Sequence, residues 1–192
     1  MLRLLLSILA LLTAHGCVLA VSDHDDHQPN RAADIEHGQY LVSLLGCGRC
    51  HTQGYLTGNT ATGPYLAGST LGIAWTAYDD SGEPPGLAFP PNLTPDPDTG
   101  LGAWSEAEII RTLRAGVGRD GHQRLPVMPW GNYAALTDDD VRAVARYLQS
   151  LTPVRRQIPA RTERGEHSDY PFVRFGVYTF EPRGSVERRD MP

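Results

Sequence analysis

Residues 47–51 read Cys-Gly-Arg-Cys-His, two thiols three positions apart with an imidazole directly after the second. This is the spacing of covalent haem c attachment. Two thiols add across the two vinyl groups of a porphyrin, and a two-residue bridge spans the separation between those groups. The histidine that follows is then placed under the iron as the proximal ligand. Cys47, Cys50 and His51 are therefore the first candidate site. Zinc would need two further ligands, and no second cysteine pair exists to supply them. A thioredoxin-like redox pair would need a βαβ setting, whereas the surrounding sequence is helical and rich in loops. A buried cysteine pair without chemistry does not account for the attached histidine.

The N-terminus suits a haem-bearing chain. Arg3 precedes an apolar run from Leu4 to Leu12 that only Ser7 interrupts. The run falls short of the roughly 20 apolar residues of a membrane span and has the form of a secretory h-region. Val18-Leu19-Ala20 offers small residues for a cut before Val21, giving a signal peptide over 1–20. The alternative is lipoprotein processing with acylation of Cys17. Either route predicts a protein outside the cytoplasm, in the periplasm, and peripheral membrane association is compatible with both. Residues 21–33 read as a polar, flexible linker, whose His24 and His27 flank two aspartates.

Three helices follow from the patterning. Asp34 is positioned to cap a helix from about Ile35, with Tyr40, Leu41, Leu44 and Leu45 as its apolar face and Gly46 as its end. Residues 52–102 are rich in Gly, Pro, Asn, Asp and Thr and read as a long loop, with a short helical or extended piece near 69–78. Ser105 and Glu108 form a capping box for a second helix carrying Ile109, Ile110 and Leu113 and ending at Gly116. A third starts at Thr137, with three aspartates in its first turn, and carries Val141, Val144, Ala145, Leu148 and Leu151. The 20 glycines and 15 prolines agree with long connections. Formal charge is −5 and all 17 basic residues are arginine; no basic stripe recommends a nucleic-acid partner.

A haem iron held by His51 needs a sixth ligand. Met1 leaves with the signal, so Met128 and Met191 remain. Met128 lies between Pro126 and Pro129 in a stiffened loop that can present a thioether at little ordering cost. His122 competes; bis-histidine ligation would lower the reduction potential, whereas His/Met ligation raises it.

On these segments residues 34–153 resemble the class I c-type cytochromes. In particular they resemble the cytochrome domains associated with bacterial membrane-bound alcohol, aldehyde and gluconate-type dehydrogenases. The segments are HGQYLVSLLGCGRCHT, TGPYLAG, PPNLTPDPDTGLGAWSEAEIIRTLRAGV, GHQRLPVMPWGNY and LTDDDVRAVARYLQSL, of which the third is the most family-specific. The resemblance implies an all-α, class I cytochrome c fold with long loops. Its first and last helices cross, with Gly38, Leu41 and Tyr147 near the contact. It implies that the Pro64 carbonyl accepts the Nδ1–H of His51 and that Trp104 reaches a haem propionate; Arg111 and Arg114 are propionate partners or solvated helix charges. Three features depart from the pattern. Those subunits commonly carry three haem domains, and this chain has one Cys-x-x-Cys-His. Residues 69–89 are bulkier than a minimal cytochrome needs. Residues 154–192 form a C-terminal extension without a counterpart.

The functional expectation is a monohaem c-type cytochrome passing single electrons between redox proteins: a dehydrogenase, a quinol-linked complex or a terminal oxidase. In this reading it is an electron-transfer protein, not an enzyme, with one covalent haem c as cofactor. The alternative is a haem enzyme or small-ligand sensor with an open sixth position. The alternating Phe172, Arg174, Phe175, Val177, Tyr178 and Phe180 can either wrap the chain's own domain or add a strand to a partner.

Overall fold

The computed structural model describes residues 31–58, 60–74, 84–125 and 127–174. The expected signal peptide and most of the linker, with Cys17, His24 and His27, lie outside the described residues. So do Pro126, Met191, and Phe175 to Phe180 of the tail. Among the described residues no helix is long and apolar enough to cross a membrane.

Three longer helices make the frame: α1 (Arg31–Leu44), α3 (Glu106–Ala115) and α5 (Asp138–Ser150). Between them lie the short α2 (Cys47–His51) and α4 (Trp130–Tyr133). The chain is already helical at Arg31, so Asp34 is not the cap expected of it. It lies within α1 and pairs instead with Arg146 of α5. Gly46 does end the helix, in the left-handed region at φ 71°. Both predicted N-termini form as capping boxes, Ser105 with Glu108 and Thr137 with Asp140.

α1 and α5 cross at Gly38. A Cβ there would fall 2.1 Å from the Ala143 carbonyl oxygen and 2.7 Å from Tyr147 Cβ. Only glycine lets the two backbones approach this closely. The crossing decides which face of α1 is buried: Gly38, Leu41 and Val42 go inside, with Ile35 and Leu45 packed against the core. Tyr40 and Leu44, expected on that face, are 61% and 65% exposed. The run YLVSLL offers apolar residues on more than one side, and packing against α5 made the choice. The core joins α1, α3 and α5 through Leu41, Val42, Ile109, Leu113, Val141, Val144, Ala145 and Leu148, and takes Leu66 and Leu101 from the long loop.

The all-α expectation is incomplete. The long loop and the extension build a small sheet in the order β2-β1-β3, from β1 (Gly72–Ala74), β2 (Leu87–Ala88) and β3 (Phe172–Val173). β1 and β2 are antiparallel, pairing Ile73 with Ala88; β1 and β3 are parallel, pairing Ile73 with Val173. Thr162 adds a further bridge to Leu87, with N–H···O distances of 3.0 and 2.9 Å in the two directions. The described part of the extension thus packs on its own domain, against Gly72, Ile73 and Leu87 of the bulky segment.

Candidate haem site

Cys47 to His51 form a single helical turn after the Gly46 reversal, which brings both thiols and the imidazole to one end of the core. Cys47 packs against the core cluster, and both cysteines are free thiols. Burial raises both thiols, Cys47 to about 11. Tyr65 lies over Gly48, whose Cβ would come within 2.9 Å of its ring. Tyr133 of α4 sits at the same end, its hydroxyl 3.5 Å from the Leu45 carbonyl. Burial first, then the two cysteines, push its phenol up to about 12.

His51 is 8% exposed, and burial lowers its pKa. Its Nδ1–H donates to the carbonyl of Pro91 at 2.8 Å. Pro91 takes the role expected of Pro64. The Pro64 carbonyl accepts from Ala67 N at 3.2 Å and closes its own turn. The neutral ring, with Nδ1 committed, leaves the Nε2 lone pair as its ligating atom. The backbone around it is equally fixed. Gly68 N donates to the His51 carbonyl at 2.8 Å, and Leu66 N donates to the buried Thr52 hydroxyl at 3.0 Å. To make these contacts Leu66 takes φ 58°, a left-handed conformation costing about 1 kcal/mol or more that its complete burial offsets.

The segment from Pro91 to Gly102 is a polar knot. Asn92 Oδ1 accepts from Thr94 N at 2.9 Å and from its hydroxyl at 2.7 Å. Asp96 accepts from the Thr99 N–H and hydroxyl, at 2.7 and 2.6 Å, and from Asp98 N at 3.2 Å. Leu93 N reaches the Leu66 carbonyl at 2.8 Å, joining the knot to the loop around His51. Neither Pro91 nor Asn92 stood out as a site residue in the sequence. The available signal was the doubled proline that opens the most family-specific segment.

Met128 is half-buried and packs against the core cluster that Cys47 also touches. His122, its competitor, points to solvent with 78% side-chain exposure, beside Asp120 at 3.6 Å. Trp104 packs against the same core, and its carbonyl accepts from Gln149 Nε2 at 3.0 Å. Arg114 pairs with Asp138 at 2.7 Å and Arg111 donates to the Gly118 carbonyl at 3.3 Å, so both join α3 to its surroundings. The donor set fits a haem c: two thiols on one turn, an imidazole locked at Nδ1, and a thioether on the adjoining core. Among the described residues no group of three or more His, Cys, Asp or Glu gathers as a competing metal site.

A sequence model of the cytochrome c family matches residues 35–152. The chain is 32% identical over 164 residues to a nicotinate dehydrogenase subunit of Pseudomonas putida, covering 81% of this chain and 12% of that one. It is 33% identical over 142 residues to the cytochrome c subunit of the quinone alcohol dehydrogenase of Gluconobacter oxydans, covering 73% and 26%. With the fructose dehydrogenase cytochrome subunit of Gluconobacter japonicus it shares 32% over 134 residues, covering 69% and 24%. The chain thus spans 12% to 26% of the length of these relatives. Motif, helix crossing and family match agree, and the chain belongs to the cytochrome c family.

Proposed function

We propose that this chain is a monohaem c-type cytochrome that passes single electrons, outside the cytoplasm, from a dehydrogenase to a further redox protein such as a quinol-linked complex or terminal oxidase. The observation that carries the reading is the Cys47–His51 turn with its imidazole locked by Pro91. The haem supplies a one-electron couple at its iron. The chain's own residues do the rest. Cys47 and Cys50 tether the group, and His51 presents Nε2. Met128, packed on the adjoining core, would supply a thioether as the second protein ligand. Trp104 would donate its indole N–H to a propionate. In this reading residues 1–20 direct export, 21–33 are a tether and 34–153 are the haem domain. The kinship to dehydrogenase cytochrome subunits supports a dehydrogenase donor met through a small, transient interface.

The test is an optical and mass measurement on the exported protein. One haem per chain, lost in Cys47→Ala/Cys50→Ala, is expected. A weak far-red ferric band of thioether ligation is expected to disappear in Met128→Ala and to persist in His122→Ala. A high-spin ferric spectrum that shifts with added cyanide or peroxide would overturn the carrier reading in favour of an enzyme or sensor with an open sixth position.

A further inference from the structure

We propose that residues 154–158, the start of the C-terminal extension, clamp the proximal side of the haem site and help set its reduction potential. Thr94 and Asn92 are the positioning residues through which the clamp acts. The inference rests on haem being held at Cys47, Cys50 and His51.

The bond to be held is His51 Nδ1–H to the Pro91 carbonyl, at 2.8 Å. Pro91 lies in neither a helix nor a strand, so no ladder fixes its carbonyl. The rings of Pro90 and Pro91 fix φ at both positions. What remains free is the rotation after Pro91, and that is set by where Asn92 is anchored. Asn92 and Thr94 are each 1% exposed. Asn92 Nδ2 donates to the Val154 carbonyl at 2.8 Å, and Val154 N donates to the Thr94 hydroxyl at 3.0 Å. Both backbone groups of Val154 are therefore spent on these two side chains, in a stretch with no regular structure to use them otherwise.

The next residues reach the other segments around His51. Arg156 N donates to the Thr99 hydroxyl at 3.0 Å, and its Nη2 donates to Gln53 Oε1 at 3.0 Å, two residues beyond His51. The same Gln53 oxygen accepts from Thr70 N at 2.8 Å. Ile158 presses on Gly68, where a Cβ would fall 2.6 Å from Ile158 Cδ1 and 2.9 Å from Asn92 N. Gly68 is the residue whose N–H holds the His51 carbonyl. Val154, Arg156 and Ile158, alternate residues of one stretch, thus touch the neighbours of His51 on three sides: at Asn92, at Gln53 and at Gly68. A firm Nδ1–H···O bond gives the imidazole more basic character and favours ferric iron, so loosening it raises the potential.

The experiment uses the full, haem-loaded chain and reads two quantities. One is the reduction potential by spectroelectrochemical titration; the other is the exchange rate of the His51 Nδ1–H by NMR in the ferrous state. Thr94→Val and Ile158→Ala are expected to raise the potential and to speed exchange by about tenfold, the effect of weakening one buried hydrogen bond. Thr94→Ser, which keeps the hydroxyl, is expected to restore both. Arg146→Met, remote from the clamp, is expected to lower Tm and leave both unchanged. A haem-loaded chain in which Thr94→Val and Ile158→Ala lower Tm alone would overturn the clamp. A wild-type chain without covalent haem would sink the cytochrome reading, and the clamp with it.

Discussion

At the residue scale the turn after Asp96 is closed by two glycines with no room for a side chain. A Cβ at Gly100 would fall 2.1 Å from the Thr94 carbonyl oxygen, and one at Gly102 would fall 2.4 Å from that of Pro95. Both contacts are with backbone, so no rotamer change relieves them. Gly100→Ala must therefore open the turn and disturb the Leu101 N to Thr94 O bond of 2.8 Å. We expect a loss of about 2–4 kcal/mol, read as a lower denaturant midpoint. This is also where the sequence is least informative. Pro64 and Pro91 both lie in segments that resemble cytochromes. Which carbonyl meets Nδ1 depends on how the knot from Asn92 to Thr99 folds back, and those bonds are side chain to backbone at contacts no periodicity records.

At the element scale the helices were legible where their signals were local. Ser105 and Glu108 lie three residues apart and form the box their spacing implies, and Thr137 starts its helix as expected, with Asp140 completing a second box. Ser105→Ala is expected to cost about 1 kcal/mol, measured by the same denaturant midpoint. The buried face of α1 was legible only in part: Leu41 and Leu45 face the core as expected, whereas Tyr40 and Leu44 do not, because the choice among apolar residues is made by α5, roughly a hundred positions away. Gly38→Ala tests that choice. The added carbon meets the Ala143 carbonyl and Tyr147, so α1 must lift from α5, at an expected cost of about 2–4 kcal/mol. Substitution of the exposed Tyr40 by Gln is expected to change stability by less than about 0.5 kcal/mol. Arg146 ties three helices at once, pairing with Asp34 of α1 and, at 3.2 Å, with Glu106 of α3. Its guanidinium is held above its ordinary value, first by the bond to Glu106. Arg146→Met should cost about 1–2 kcal/mol, less at high salt, because the network is only partly buried.

At the scale of the whole molecule, the chain closes on itself: β3 and Thr162 of the extension return to the strands built by the long loop. The composition announced long connections but not their destination, since short strands of two or three residues carry no usable period. What unites the loops is a set of carboxylates that accept hydrogen bonds from turn and cap residues. The Thr99 hydroxyl holds Asp96 below the usual carboxylate range, the Ser105 backbone N–H does so for Glu108, and His37, at 2.7 Å, does so for Asp140. Each is lowered on folding, so each adds stability that is complete above its unfolded value and is lost as pH falls through its lowered native value. With ordinary values of 4.5 for Glu and 3.8 for Asp, the denaturant midpoint of the haem-loaded chain should be nearly independent of these groups above pH 4.5 and fall progressively below 3.8. The triple variant Asp96→Asn, Glu108→Gln, Asp140→Asn keeps an oxygen acceptor at each place and removes the titration. It is expected to be less stable than the parent at neutral pH and to lose less on acidification, so the two curves converge toward acid. Parallel curves would mean that acid sensitivity lies in other groups and that these three turns do not hold the loops through their charge.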